Sequence, residues 1–292
     1  MFHIIKKRKL FYIISLIILL VGIGSLFTRG LNLGIDFTGG NLIELQFKNA
    51  TSADQVRTAL AEYELADSKV QTSGENTYLI RTKVLSHEES DKVFDGISEK
   101  LGGATLLRNE LVGPVVGEEL TKQAILALAI AAILMVMYIT WRFEFLQGVS
   151  AIVALLHDVF VMVGLASLFQ IEIDSTFVAA VLTIIGYSIN DTIVIFDRIR
   201  ENLRLNRKEE LADVVNNALW QTMTRSINTV LTVVFVLVCL FFFGGSTIHN
   251  FIALLLIGVI SGAYSSIFNA GPVWYDLRRV QKQRKLAEKA VA

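Results

Sequence analysis

Residues 177–196 read FVAAVLTIIGYSINDTIVIF, an apolar run with Asp191 set inside it. Crossing a hydrocarbon core of about 30 Å takes roughly 20 helical residues, so the run predicts a membrane span. No cationic side chain stands within five residues of Asp191. An ionised carboxylate at that depth costs about 2.5–3.5 kcal/mol on insertion scales, which makes an intramembrane acid a functional candidate. The string Gly186-Tyr187-Ser188-Ile189-Asn190-Asp191-Thr192 supplies small and hydrogen-bonding side chains that a purely lipid-facing helix has no use for. The segment predicts a chain that moves protons, or something coupled to protons, across a membrane.

Working outward, the composition agrees: 53% of residues are hydrophobic and 18% charged, against a soluble norm of about 25% charged. Six apolar runs can be read, at 10–27, 124–141, 145–169, 175–196, 226–243 and 251–274. The third is interrupted by His157-Asp158 and the fourth carries Asp191. Loop charges orient them. Lys6, Lys7, Arg8 and Lys9 precede the first run, and Arg142 lies between the second and third. Arg198, Arg200, Arg204, Arg207, Lys208 and Arg225 separate the fourth from the fifth, and a basic tail from Arg278 to Lys289 follows the sixth. The opposite loops, 170–174 and 244–250, contain no Lys or Arg. The positive-inside bias therefore predicts both termini in the cytoplasm, and the zero net charge hides a strong sidedness.

The expected organisation is a cytoplasmic N-terminus at 1–9, a first span at 10–28, an extracytoplasmic domain at 29–121, five further spans within 122–274 and a basic cytoplasmic tail at 275–292. The first run is longer than a usual signal-peptide core of about 7–15 residues, so it is expected to stay as an anchor. Within an amphipathic cytoplasmic segment at 204–224, residues 209–220, with Leu211, Val214, Val215, Leu219 and Trp220 at helical spacing, predict a helix along the cytoplasmic interface or a docking face for a partner. The lone cysteine, Cys239, excludes a disulfide framework and is expected to pack as a small apolar residue.

The 29–121 insert alternates strand and helix patterns. Residues 42–47 alternate apolar and polar, Ser52 opens a helix, and 69–72 and 77–81 flank the turn string Ser73-Gly74-Glu75-Asn76. Ser86 to Glu89 forms a capping-box pattern before a second helix, Gly102-Gly103 stops it, and 104–112 reads as a last strand. Two strand-helix-strand units in succession predict a ferredoxin-like α+β domain. His87, alone among acids, reads as a surface residue, and Gly39-Gly40 as a tight backbone turn.

Thr176, Thr183, Asn190 and Asp197 are seven apart on the fourth span, with Tyr187 in the same sector and Asp191 at its edge. Such a polar stripe must face protein or water rather than lipid. Helix adhesion accounts for the threonines and Asn190 but poorly for Asp191. Arg225, at the start of the fifth run, either snorkels as an anchor or pairs with a buried acid. Asp158 either joins a relay or accepts hydrogen bonds from neighbouring helices. In the last span, 258–262 with Ser265 makes a small-residue face for close packing.

Three motifs in order then carry a resemblance. Gly34-Ile35-Asp36-Phe37-Thr38-Gly39-Gly40 follows span one and Val112-Gly113-Pro114-Val115-Val116-Gly117 precedes span two. The Gly186–Thr192 string leads into Phe196-Asp197-Arg198-Ile199-Arg200-Glu201-Asn202. Together they resemble the SecF family. The resemblance implies a half of a transporter of the resistance-nodulation-division type, paired with SecD, which assists the SecYEG channel at the expense of the proton gradient. It implies YajC and YidC as further associates, contact with translocating polypeptide and membrane lipid, and neither nucleic acid, cofactor, metal nor enzymatic activity. It assigns the proton-responsive carboxylate to Asp191, in the Asn190-Asp191 pair, and its working arginine to Arg225, and it implies a further Asp supplied by SecD; Asp158 is a candidate only by its place inside a span. Half of a small-molecule exporter is the rival, but exporters carry larger porter domains. An intramembrane aspartyl protease is not supported: Tyr275-Asp276 mimics half its signature, but past the sixth span, and no Gly-x-Gly-Asp exists.

Overall fold

The computed structural model of the chain describes residues 2–206 and 208–291, so Arg207 lies outside the described residues. In chain order the first elements are α1 (Arg8–Arg29), β1 (Asn32–Leu33), α2 (Ile35–Thr38), β2 (Gly40–Phe47), α3 (Ala53–Ala61), β3 (Lys69–Gly74), β4 (Thr77–Thr82), α4 (His87–Lys100) and β5 (Ala104–Val112). There follow α5 (Pro114–Arg142), α6 (Phe145–Leu168), β6 (Glu172–Ile173), α7 (Ser175–Leu205), α8 (Leu211–Phe243), α9 (Ser246–Ser265), a π-helical turn at Ser266–Ala270, and α10 (Gly271–Val291). The chain divides into two compact units, residues 33–126 and the remainder.

In the smaller unit, β2 to β5 form one sheet in the order β3-β4-β2-β5, and every neighbouring pair is antiparallel. With α3 and α4 as the two crossovers, this is the ferredoxin-like arrangement that the strand-helix alternation predicts. The core forms because the alternating Ile43, Leu45 and Phe47 of β2 meet Val56 and Leu60 of α3 and Val93 and Ile97 of α4. Both helices start on complete capping boxes, Ser52 with Gln55 and Ser86 with Glu89, which satisfy N–H groups that a first turn leaves orphaned. The backbone N–H and hydroxyl of Ser86 hold the Glu89 carboxyl below its usual range. That contribution is complete above the ordinary carboxylate range and is lost as pH falls through the depressed value.

Gly40 shows why the glycine pair is needed. Its φ is +125°, and a Cβ there would sit 2.4 Å from the carbonyl oxygen of Thr82. Gly40→Ala is therefore expected to destabilise this unit by about 1–3 kcal/mol. Hydrogen exchange at the β2 and β4 amides of the full chain should speed up accordingly, and unchanged protection would contradict the assignment.

In the larger unit, six helices are long and apolar enough to cross a membrane among the described residues. The burial pattern is that of a membrane protein. Helix α1 buries Ser15, Gly22 and Ser25, whereas Leu10, Ile13, Leu16, Ile17 and Leu20 are exposed. Small residues let helices approach where lipid offers no hydrophobic drive to pack. Gly22 illustrates this, since a Cβ on it would lie 2.9 Å from the Cα of Gly164 on α6. On α9, Gly258 abuts Ile184 and Gly262 abuts Ser188 of α7.

The helices overrun the apolar runs. Helix α5 begins ten residues before position 124, at Pro114, and α7 continues past Phe196 to Leu205. The helix expected at 209–220 begins at Leu211 and runs unbroken into the fifth span as α8. Its apolar face, Val215, Ala218 and Leu219, is buried in a core with Ile4, Ile5 and Trp274, so it is packed by protein on that side. The sixth span likewise passes through the π turn into α10, which carries the basic tail. Cys239 departs from expectation too: it is exposed, because the outer face of α8 is not covered by the chain's own helices.

Candidate proton-responsive site

Helix α7 carries its ionisable residue toward α8. The hydroxyl of Ser226 donates to Asp191 Oδ1 at 2.7 Å. The other carboxylate oxygen, Oδ2, is buried and has no hydrogen-bond partner. A half-satisfied buried carboxylate is costly, and its vacant oxygen can take a proton or an N–H donor.

Arg225 immediately precedes Ser226 on α8. Its side chain is exposed and makes no hydrogen bond or ion pair among the described residues, although it is near enough to act on Asp191 through space. The structure therefore brings Arg225 beside Asp191 without joining them. Asn190 is exposed.

The predicted polar stripe divides. Thr183 donates to Ala179 O of its own helix, Tyr187 Oη donates to Thr229 O of α8 at 3.0 Å, and Thr183 and Asn190 lie on the exposed face. At the far end, Asp197 is held by Arg142 at 2.6 Å and by Arg200.

Asp158 proves to be a hydrogen-bond hub, fully buried among α6, α7 and α9. Ser261 donates to Oδ1 and Ser188 and Ser265 to Oδ2, each at 2.7 Å, and His157 Nδ1 lies 3.1 Å from Oδ1. Immediately after Ser265 comes the π turn, whose Ser266 hydroxyl lies 2.9 Å from the Thr192 hydroxyl, next to Asp191. Single π turns inside α-helices frequently sit at functional sites.

Ser226 is a site residue that the sequence does not single out; it marks His157 only as Asp158's neighbour, and Ser188, Ser261 and Ser265 only as small or hydrogen-bonding residues, not as its partners. A serine on an apolar helix is common, and only the fold brings together residues 30, 103 and 107 positions from Asp158. Asp276, half of the protease-like signature, instead accepts from Arg8 Nε on each of its oxygens at 2.9 Å and from Tyr12 Oη on Oδ2. His87 is exposed. No group of three His, Cys, Asp or Glu is placed to hold a metal ion among the described residues.

Comparison with known proteins bears on what this arrangement serves. Residues 94–280 match the family model described as protein export membrane protein SecD/SecF, C-terminal. Residues 24–51, which hold Gly39-Gly40, match the SecD/SecF GG motif. Protein translocase subunit SecF of Acidaminococcus fermentans is 45% identical over 290 residues, covering 97% of this chain and 99% of the relative. That of Sebaldella termitidis is 43% identical, covering 97% and 94%. Protein translocase subunit SecDF of Bacillus subtilis is 42% identical over 92% of this chain, which spans 37% of that longer protein. Among solved structures, SecDF of Thermus thermophilus, described as a translocon-associated membrane protein, superposes with a TM-score of 0.88 at 33% identity. The match covers 95% of this chain and 39% of that one. With a family model matched over residues 94–280 and relatives matched nearly end to end, the chain belongs to the SecF family of protein translocase subunits.

Proposed function

We propose that this chain is the SecF half of a SecD–SecF unit in the bacterial inner membrane, with both termini cytoplasmic. The unit draws secreted polypeptide outward from the SecYEG channel at the expense of the proton gradient. The observation that carries the reading is the half-buried carboxylate of Asp191, with one oxygen on Ser226 and the other buried and vacant. Proton and guanidinium compete for that vacant oxygen. When Asp191 is protonated, Arg225 stays free; when the proton leaves, the planar cation can swing in and donate, which couples charge at α7 to the position of α8. Asn190, exposed on α7 and adjacent to Asp191, is the third residue of the relay. The basic ends of the helices support the stated sidedness. Lipid surrounds the exposed apolar faces, and YajC and YidC are further associates of the assembly.

A SecD-type subunit is supported by the two relatives in which the corresponding segment is fused into a SecDF chain. The exposed face of α7 favours such a cover, since the amide of Asn190 cannot face hydrocarbon cheaply. In a chain whose Cys239 is replaced by Ala, Thr183→Cys should cross-link to a SecD-type subunit in native membranes. Cross-linking to lipid-soluble reagents alone would contradict the pairing.

A further inference from the structure

The cluster around Asp158 has one feature that hydrogen bonding alone leaves unused. A carboxylate offers about four lone-pair positions, and here three serine hydroxyls and the imidazole of His157 occupy them, two on each oxygen. Asp158 is thereby fixed as an acceptor, and Nδ1 of His157 must carry the hydrogen that faces it. The lone pair then belongs to Nε2. That atom is buried and has no partner, in a side chain only 7% exposed. The opposite tautomer would set a lone pair against the carboxylate and bury an unpaired N–H, which costs more than an unpaired acceptor position on an imidazole.

We propose that Nε2 of His157 is a second proton-binding site of this chain, oriented by Asp158 and separate from Asp191. Proton uptake takes the pair from a net charge of −1 to zero without disturbing the four bonds on Asp158. The titratable groups facing the imidazole are Asp158 of α6 and Tyr264 of α9, whose ring stacks on it at 6.0 Å. From α1 the hydroxyl of Ser15 reaches Tyr264, and from α7 Ser188 reaches Asp158. The other ionisable groups of those two helices nearest this level bond to other residues, Tyr12 to Asp276, Tyr187 to Thr229 O and Asp191, through one oxygen, to Ser226. The two sites communicate through α7, where Ser188 lies three residues before Asp191 and Ser266 bonds Thr192 just after it.

The role of this proton in the work cycle rests on the proton-coupled reading above, whereas its binding does not, so a titration separates the two. The full chain in lipid nanodiscs, labelled with nitrogen-15 histidine and with His3, His87 and His249 replaced by Gln, leaves His157 as the one labelled imidazole. At alkaline pH its nitrogen spectrum should show the neutral tautomer protonated at Nδ1. On acidification it should convert to imidazolium, and Asp191→Asn should leave that conversion in place. Asp158→Ala, which leaves Nδ1 no acceptor at this position, should abolish the Nδ1–H preference. An Nε2–H tautomer in the parent protein, or an imidazole that keeps one protonation state throughout, would overturn the proposal. The parent spectrum decides both points even if the Asp158 variant does not fold. Titration of His157 in a chain whose secretion ignores the gradient would leave this site standing and the function rejected.

Discussion

Asp191→Asn is expected to leave the chain folded and assembled, yet to reduce secretion in the presence of a proton gradient to the rate seen without one. Asparagine keeps nearly the same shape, and its side-chain oxygen still accepts from Ser226. What changes is the vacant position: an amide NH2 replaces Oδ2, so the group neither takes up a proton nor receives a guanidinium. Membrane levels and cross-linking to the SecD-type subunit should stay normal, which separates this loss from misfolding. Full gradient-driven secretion from the variant would show that the buried carboxylate serves packing alone.

Arg225→Lys distinguishes a working partner from an anchor. In this structure the guanidinium is exposed and makes no hydrogen bond among the described residues, which by itself suits an interfacial anchor. An anchor needs only a long cation, and lysine would replace it silently. A partner for the vacant Asp191 oxygen needs a planar group that stays charged on burial and donates along fixed directions, and lysine meets neither requirement. The lysine variant should therefore keep normal membrane levels and lose most of the gradient-dependent increment, approaching the Asp191→Asn defect. The double variant should be no worse than the more damaged single one, because groups acting as a unit are not additive. Wild-type secretion from the lysine variant, or defects that add, would return Arg225 to anchoring.

The membrane architecture was legible because six apolar runs of near-bilayer length need no tertiary information to be recognised, and the insert because its caps and turns are local signals. Ser86 with Glu89 and the strand at 104–112 are read directly from neighbouring residues and stand as expected. The ends of the helices were not legible. Hydropathy marks where the bilayer stops, whereas a helix continues as long as something covers its apolar face. Val215, Ala218 and Leu219 find that cover against Ile4, Ile5 and Trp274, which lie far away in sequence. The site was half legible. Asp191 announces itself by its cost, but its partner Ser226 looked like any other serine, and the stripe at seven-residue spacing gave no sign of which polar residues would turn inward. Ser188 and Thr192, off that stripe, are buried, whereas Thr183 and Asn190, on it, are exposed. Asp158 was recognised as an acid inside a span, but its three serines come from two other helices and no local pattern links them.

Proton coupling is tested most directly by collapsing the gradient itself. Inverted membrane vesicles depleted of this chain are refilled with it, and ATP-fuelled secretion of a model precursor is followed with and without an uncoupler. Adding the chain should stimulate secretion while the gradient stands, and the stimulation should vanish when the uncoupler is present. Stimulation of equal size after the gradient has collapsed would contradict the assignment of a proton-driven role to Asp191 and to the chain as a whole.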